Sequence, residues 1–489
     1  MNFGNFGDAK TLLFNNVTLR QTLFKNTFWI SLSEGISKLL RAFLIIYIAR
    51  VLGVTEYGKF TFALAFVSLF VALFDFGLSN ILTREFSKDK AREKEFPAVL
   101  SLKILLGLIS IILIFLTSFF ITSDLEIQKI IWILAFFTFI SQLPEIFYAF
   151  LRARQKMEYE SWANIFNVLL VVGVGFFVLF NFPSIKNISY SYLFASLAAL
   201  IPFLLFFHFK VLSLRFPFQT DIWKKFLAMS WPLALISIFG LLYSYIDSVM
   251  MGSWNLITET GWYNAALKII NVVFLPSAII SLVFYPVISK FVSESKEMLQ
   301  KVWDYQLKIL IFLGFPIVIG GITLSSKIID FIYDSSFEPS VLALKILLIM
   351  SGIAFLCIPF SQILIAFNQQ KKVFWAAFAG GIININLNLI LIPKFSLYGA
   401  AVTSVITYFL IFIIYFIFTR KFISIQLFNL KIFITFIKVI FAGIVMYFVI
   451  SAASIYNLHV LYVVFIGALI YLLSFLVLEI ITKKLAKTY

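Results

Sequence analysis

Cysteine is nearly missing from this 489-residue chain: Cys357 stands alone, and the only histidines are His208 and His459. An intramolecular disulfide is therefore excluded, and a Cys/His metal cluster has no material. Charge is scarce as well, at 13% of residues against about 25% in a typical soluble domain. No GxxxxGK[ST] phosphate loop occurs, so ATP hydrolysis of the usual kind is not expected. No polar stretch is long enough for a catalytic domain. The longest, 84–96 and 210–225, are charged loops suited to contact with a membrane surface. The first 25 residues show no basic stretch leading into an apolar core, so the first membrane helix itself is expected to direct insertion.

What is abundant is apolar. Hydrophobic residues make up 62% of the chain, 61 of them Phe, and the mean hydropathy is +1.02. These figures exclude a soluble enzyme, a disordered chain and a nucleic-acid binder, and imply an all-α polytopic membrane protein. A span needs about 20 mostly apolar residues. Reading apolar runs between polar breaks gives fourteen, among them 26–49, 57–83, 373–392 and 396–418. The formal charge of +16 is then mostly topology. Of 39 basic residues, 26 fall on the side of the N-terminus and 6 on the other, which places both termini in the cytoplasm.

Two linkers echo each other. VLGVTEYGKF (51–60) and MGSWNLITETGWY (251–263) share Glu-x-Gly followed by an aromatic, and AFLRARQK (149–156) resembles AFNQQK (366–371). Because paired segments share their expected sidedness, a parallel duplication of six-helix bundles follows, one of the known transporter plans. The expected divisions are an N-terminal segment 1–25, bundles at 26–209 and 226–418 joined by a linker 210–225, appended helices within 432–480, and a tail 481–489.

ARVLGVTEYGKFTFALAFVSLFVALFDFGLSNILTREFSK (49–88), LRARQKMEY (151–159), YSYIDSVMMG (243–252) and TGWYNAALKI (260–269) resemble the signature of the O-antigen and oligosaccharide flippases (Wzx-like translocases). These belong to the multidrug/oligosaccharidyl-lipid/polysaccharide exporter superfamily. The resemblance implies a MATE-like fold and alternating access. It also implies transfer of a polyprenyl-diphosphate-linked oligosaccharide from the inner to the outer leaflet of the cytoplasmic membrane. Cofactors are not expected. An ion gradient, H+ or Na+, is the expected drive, with a polysaccharide polymerase and chain-length machinery as partners. Alternatives are a lipid II or teichoic-type flippase of the same fold, a multidrug/cation antiporter, and a membrane-embedded glycan polymerase.

A charge in hydrocarbon costs roughly 2.5–3.5 kcal/mol on insertion scales and so usually meets a cavity or a partner. Glu34, Lys38 and Arg41 lie on one face of span one. They are either a substrate-lining stripe, with Arg41 the best phosphate ligand, or a set of structural pairs. Asn264, Lys268 and Asn271 repeat that spacing in span eight, and Asp247 is expected at a similar depth, either as a structural ion pair with Lys268 or as a gate. Asp75 is expected to pair with a cavity cation, to carry a coupling proton or to make a packing contact, and Glu145 and Arg152 are expected at one inner vestibule or boundary pair. With Glu34 and Asp247, Asp75 is a candidate ion carrier. Lys103, Lys308 and Lys438 are expected to snorkel from their span ends, and Asp304 and Lys308 stand at i, i+4. Asn384 and Asn388 share a face of span eleven, away from Asn386.

Overall fold

The structure, a computed structural model, describes residues 13–212, 216–423, 430–455 and 458–488. Lys10 and Arg215, counted above on the N-terminal side, lie outside the described residues, as do the side chains of Arg20, Lys431, Lys483, Lys484 and Lys487. Regular structure among the described residues is helical. In chain order the α-helices are α1 (Leu19–Leu69), α2 (Val71–Asp75), α3 (Leu78–Lys88), α4 (Phe96–Ile121), α5 (Leu125–Gln142), α6 (Pro144–Ala153), α7 (Met157–Asn181) and α8 (Ile185–Lys210). They continue with α9 (Thr220–Ser253), α10 (Ile257–Val273), α11 (Leu275–Glu294), α12 (Lys296–Ile332), α13 (Ser340–Ala366), α14 (Gln370–Thr419), α15 (Leu430–Ile455) and α16 (Val460–Thr488). Short 3-10 turns at Lys90–Glu95 and Ser335–Phe337 join their neighbours.

Local chemistry sets many of the starts. The side chains of Thr18, Asp124, Ser184 and Ser295 accept backbone N–H bonds from the first turns of α1, α5, α8 and α12, satisfying donors that a helix leaves unpaired. Among the described residues twelve helical runs are long and apolar enough to cross a membrane, against fourteen expected spans. Expected spans one and two share the run Gln21–Lys88, and eleven and twelve share Gln370–Thr419. Each long element contains one residue off helical geometry, Gly53 (φ 76°) in α1 and Ser396 (φ 54°) in α14. An unbroken α1 of 51 residues would be about 75 Å long, more than twice the ~30 Å hydrocarbon thickness. The chain is a multi-pass membrane protein.

The chain divides into two compact units, 1–258 and 259–489. In the first, α9 packs against α1, α2, α3 and α4, although 226–250 was expected to open the second bundle. Small residues make this contact close. A Cβ on Gly252 would come 2.1 Å from the Phe62 ring, and one on Gly77 would come 2.9 Å from Leu233 Cβ. Gly77 also has φ 74°, a conformation open to glycine at little cost, and with Phe76 (φ 49°) it separates α2 from α3. The core of this unit joins Leu78, Phe86, Phe96, Phe147, Phe150, Phe207 and Phe226 from α3, α4, α6, α8 and α9.

In the second unit one apolar core joins Trp303, Phe360, Ile363 and Ala376 from α12, α13 and α14. Another joins Leu324 of α12 to Met446, Ile450 and Tyr471 of α15 and α16, and Tyr471 donates its hydroxyl to the Phe312 carbonyl at 2.8 Å. A buried polar bridge crosses the first core. Gln306 donates to Gln362 at 2.5 Å, and Gln362 donates to the Ser281 carbonyl at 2.7 Å.

Candidate functional site

Midway along the first half of α1 the helix divides its faces by chemistry. Ser33, Ser37, Leu44 and Ile48 are buried. Ser33 donates to the Ser161 carbonyl (3.4 Å) and accepts from Asn164 (3.0 Å), fixing this face on α7. The neighbouring face carries Glu34, Lys38 and Arg41, all exposed. Glu34 and Lys38 form the i, i+4 pair at 3.4 Å, with side chains 54% and 64% exposed. An exposed ion pair in an apolar helix demands water, since lipid solvates neither partner. Arg41 lies within electrostatic reach of Tyr148 and Tyr192, and Glu34 within reach of Glu160. The stripe thus shares one electrostatic neighbourhood with α6 and α7.

Glu145 and Arg152 belong to that neighbourhood and pair at 3.5 Å. The stronger partner of Arg152 is Glu160, which the sequence reading did not single out. The Nε donates to both of its oxygens at 3.0 and 2.9 Å, and Nη2 donates as well. Such a forked arrangement holds guanidinium and carboxylate in one plane.

Asp75, at the end of α2, is held in place. Its Oδ1 accepts from Lys103 at 2.6 Å and from Ser79 at 2.5 Å. Lys103 is therefore not a snorkelling residue: it is 2% exposed and turned into the protein. Depth along the span favoured snorkelling, but the break at Phe76–Gly77 puts a carboxylate within its reach. Lys438 departs from the expectation for the same reason, pairing with Glu479 of α16 at 2.6 Å. Asp304 accepts from Gln300 at 2.8 Å.

Asp247 is buried in the first unit. In the second, the three polar residues of α10 differ in exposure. Asn264 is buried and donates to the Thr260 carbonyl at 2.9 Å, Lys268 is half-buried, and Asn271 is exposed. Asn384 and Asn388 of α14 are buried while Asn386 is exposed, and Asn388 donates to Asn384 at 3.0 Å within one helix.

Sequence reasoning missed a network at the end of the first unit where α6 turns into α7. Lys25, fully buried, pairs with Glu158 at 2.8 Å. Gln155 sits at φ 57°. Its carbonyl accepts from Lys25 (3.2 Å) and Asn16 (3.3 Å), and its side-chain oxygen accepts from Asn26 (2.6 Å). Arg154 binds Glu93 through two bonds of 3.0 and 2.5 Å and lies over the Phe150 ring at 4.2 Å. Alternating charge in LRARQKMEYE (151–160) was the available signal. In a hydropathy reading it looks like an ordinary cytoplasmic loop.

The fold resembles solved transporters. The lipid II flippase MurJ in an inward closed conformation aligns with a TM-score of 0.76 and 18% identity, covering 93% of this chain and 98% of that one. An inward-facing MATE multidrug transporter of the MOP superfamily aligns at 0.64 and 17%, covering 79% and 94%. At these identities the likeness is one of fold. Two relatives are similar in sequence. A probable low-salt glycan biosynthesis flippase, Agl15, from Haloferax volcanii is 22% identical over 78% of this chain and 80% of its own length. The capsular polysaccharide biosynthesis protein CapF from Staphylococcus aureus is 21% identical over 82% and 100%. Residues 23–292 match the polysaccharide biosynthesis protein family, and with more than half its length inside that match, the chain belongs to this family.

Proposed function

We propose that this protein is a flippase that moves a polyprenyl-diphosphate-linked oligosaccharide from the inner to the outer leaflet of the cytoplasmic membrane by alternating access. The observation that carries this reading is the exposed Glu34–Lys38–Arg41 face on an apolar helix. A lipid-linked diphosphate needs cations in a wet pocket for its head while its tail stays in hydrocarbon. Arg41 offers a planar fork for phosphate oxygens; within the second unit, Lys268 of α10 is a separate candidate cation. Support comes from the family and from relatives named for glycan flipping and capsule synthesis. Both termini are cytoplasmic in this reading, by the distribution of Lys and Arg. A polymerase and chain-length machinery take the product outside. An H+ or Na+ gradient drives the cycle. Of the acidic candidates Glu34 is the best placed to exchange an ion, since it is exposed, whereas Asp75 is held by Lys103 and Asp247 is buried.

The test is flipping of labelled polyprenyl-diphosphate oligosaccharide in liposomes. Charge-assisted hydrogen bonds contribute about 1.5–3 kcal/mol, so Arg41→Gln and Lys268→Gln should each slow transfer by roughly 10–100-fold. Wild-type rates in both, at equal incorporation, would overturn the cationic-site reading.

A further inference from the structure

The segment 84–95 carries five cations and four acids, close to neutral as a sequence. The fold sorts them. Glu85, Glu93 and Glu95 are all turned toward the protein and engaged: Glu85 by Arg92 and Arg84, Glu93 by Arg154 at 2.5 Å, and Glu95 by Arg92 at 3.0 Å and Lys225 at 3.1 Å. Asp89 serves as a cap, accepting from the Ala91 N–H at 2.8 Å. Lys88, Lys90 and Lys94 are exposed and enter no ion pair among the described residues. A near-neutral segment thus presents a cationic outer face.

A second segment is pinned beside it. Ser101 of α4 donates to the Pro217 carbonyl at 2.8 Å, and Trp223 of α9 donates to the Ala98 carbonyl at 2.8 Å. The flanking Phe216 and Phe218 remain 55% and 79% exposed, and Lys224, at the start of α9, is exposed as well. The charged segment 84–95 lies between apolar stretches that end at Leu82 and resume at Phe96, so it is expected just outside the hydrocarbon, at the membrane surface. Cations beside exposed aromatic rings at that depth match anionic headgroups above acyl chains.

We propose that this face of the first unit binds anionic phospholipid, Lys88, Lys90 and Lys94 holding the headgroup phosphate and Phe216 and Phe218 entering the acyl region. The site is separate from the α1 stripe and does not depend on which glycan is moved. The whole chain, purified in a neutral detergent, is titrated with dioctanoyl-phosphatidylglycerol or dioctanoyl-phosphatidylcholine, and the thermal midpoint is followed. Saturable stabilisation by the anionic phosphatidylglycerol alone is expected, weakening as salt rises. A juxtamembrane cation contributes about fivefold at low salt, so K88Q/K90Q/K94Q should weaken binding by at least tenfold, toward ~100-fold. F216S/F218S should weaken it with an unchanged salt dependence, and Lys186→Gln should leave it alone. All these positions are exposed, Phe218 also meeting the Trp223 ring at 5.4 Å, and unchanged elution on gel filtration verifies the fold. Equal stabilisation by both lipids, or a triple variant that binds like the parent, overturns the proposal. So does a face indifferent to phosphatidylglycerol that binds poly-glutamate, which would mark an acidic protein partner.

Discussion

Replacing Lys103 with Met keeps the volume and removes the charge that Asp75 faces inside the first unit. Lys103 is 2% exposed, and its ammonium donates to Asp75 Oδ1 at 2.6 Å. After the change Asp75 keeps Ser79 as a donor but loses its cation. Breaking a buried pair by removing one partner costs about 3–5 kcal/mol, because the remaining charge stays desolvated. A unit of this size shifts roughly 2–4 °C per kcal/mol, so K103M should lower the midpoint by about 6–20 °C. Removing both charges relieves the stranded carboxylate, so K103M/D75N should regain most of that loss, the sign that separates an ion pair from mere packing. The assay is fluorescence-detected gel filtration after heating, with all four members of the cycle in one detergent. A double variant as unstable as K103M, or a K103M protein that melts like the parent, refutes the pairing argument.

Gly252→Ala puts a methyl 2.1 Å from the Phe62 ring and should cost about 1–3 kcal/mol by overpacking; Phe62→Leu in the same chain should restore the midpoint. Glu160→Gln leaves Arg152 with Glu145 at 3.5 Å as its remaining carboxylate partner, a loss of about 2 kcal/mol. That loss is read in the same melt and should not be rescued by Arg152→Lys, which lacks the fork.

Span positions were legible because hydrocarbon imposes a length and a composition, and the Glu34–Lys38 pair was legible because helical spacing alone brings i and i+4 together. Contacts between helices were not. Lys103 read as a snorkelling residue because its distance from the span end was visible, whereas the α2–α3 break that brings Asp75 to it was not. Arg152 was matched with Glu145, seven residues back, while its forked partner Glu160 lay beyond the turn, at the head of the next expected span. The sorting of charge in 84–95 was likewise hidden, since composition sums what the fold separates. Duplication gave no view of the packing of α9 against α1–α4, where Gly77 and Gly252 allow close approach.

The turn at Gln155 bears on how the sidedness of this protein is to be mapped. Short and polar, it is where a reporter domain or epitope would ordinarily be spliced. Its carbonyl, however, anchors Lys25 and Asn16 and its side chain anchors Asn26, so an insertion would uncouple the start of α1 from α7 and report on a damaged protein. Thiol labelling avoids the problem. Lys156→Cys changes an exposed side chain and leaves the backbone whole, and the native Cys357 is buried, so an impermeant maleimide would read that end against a silent background.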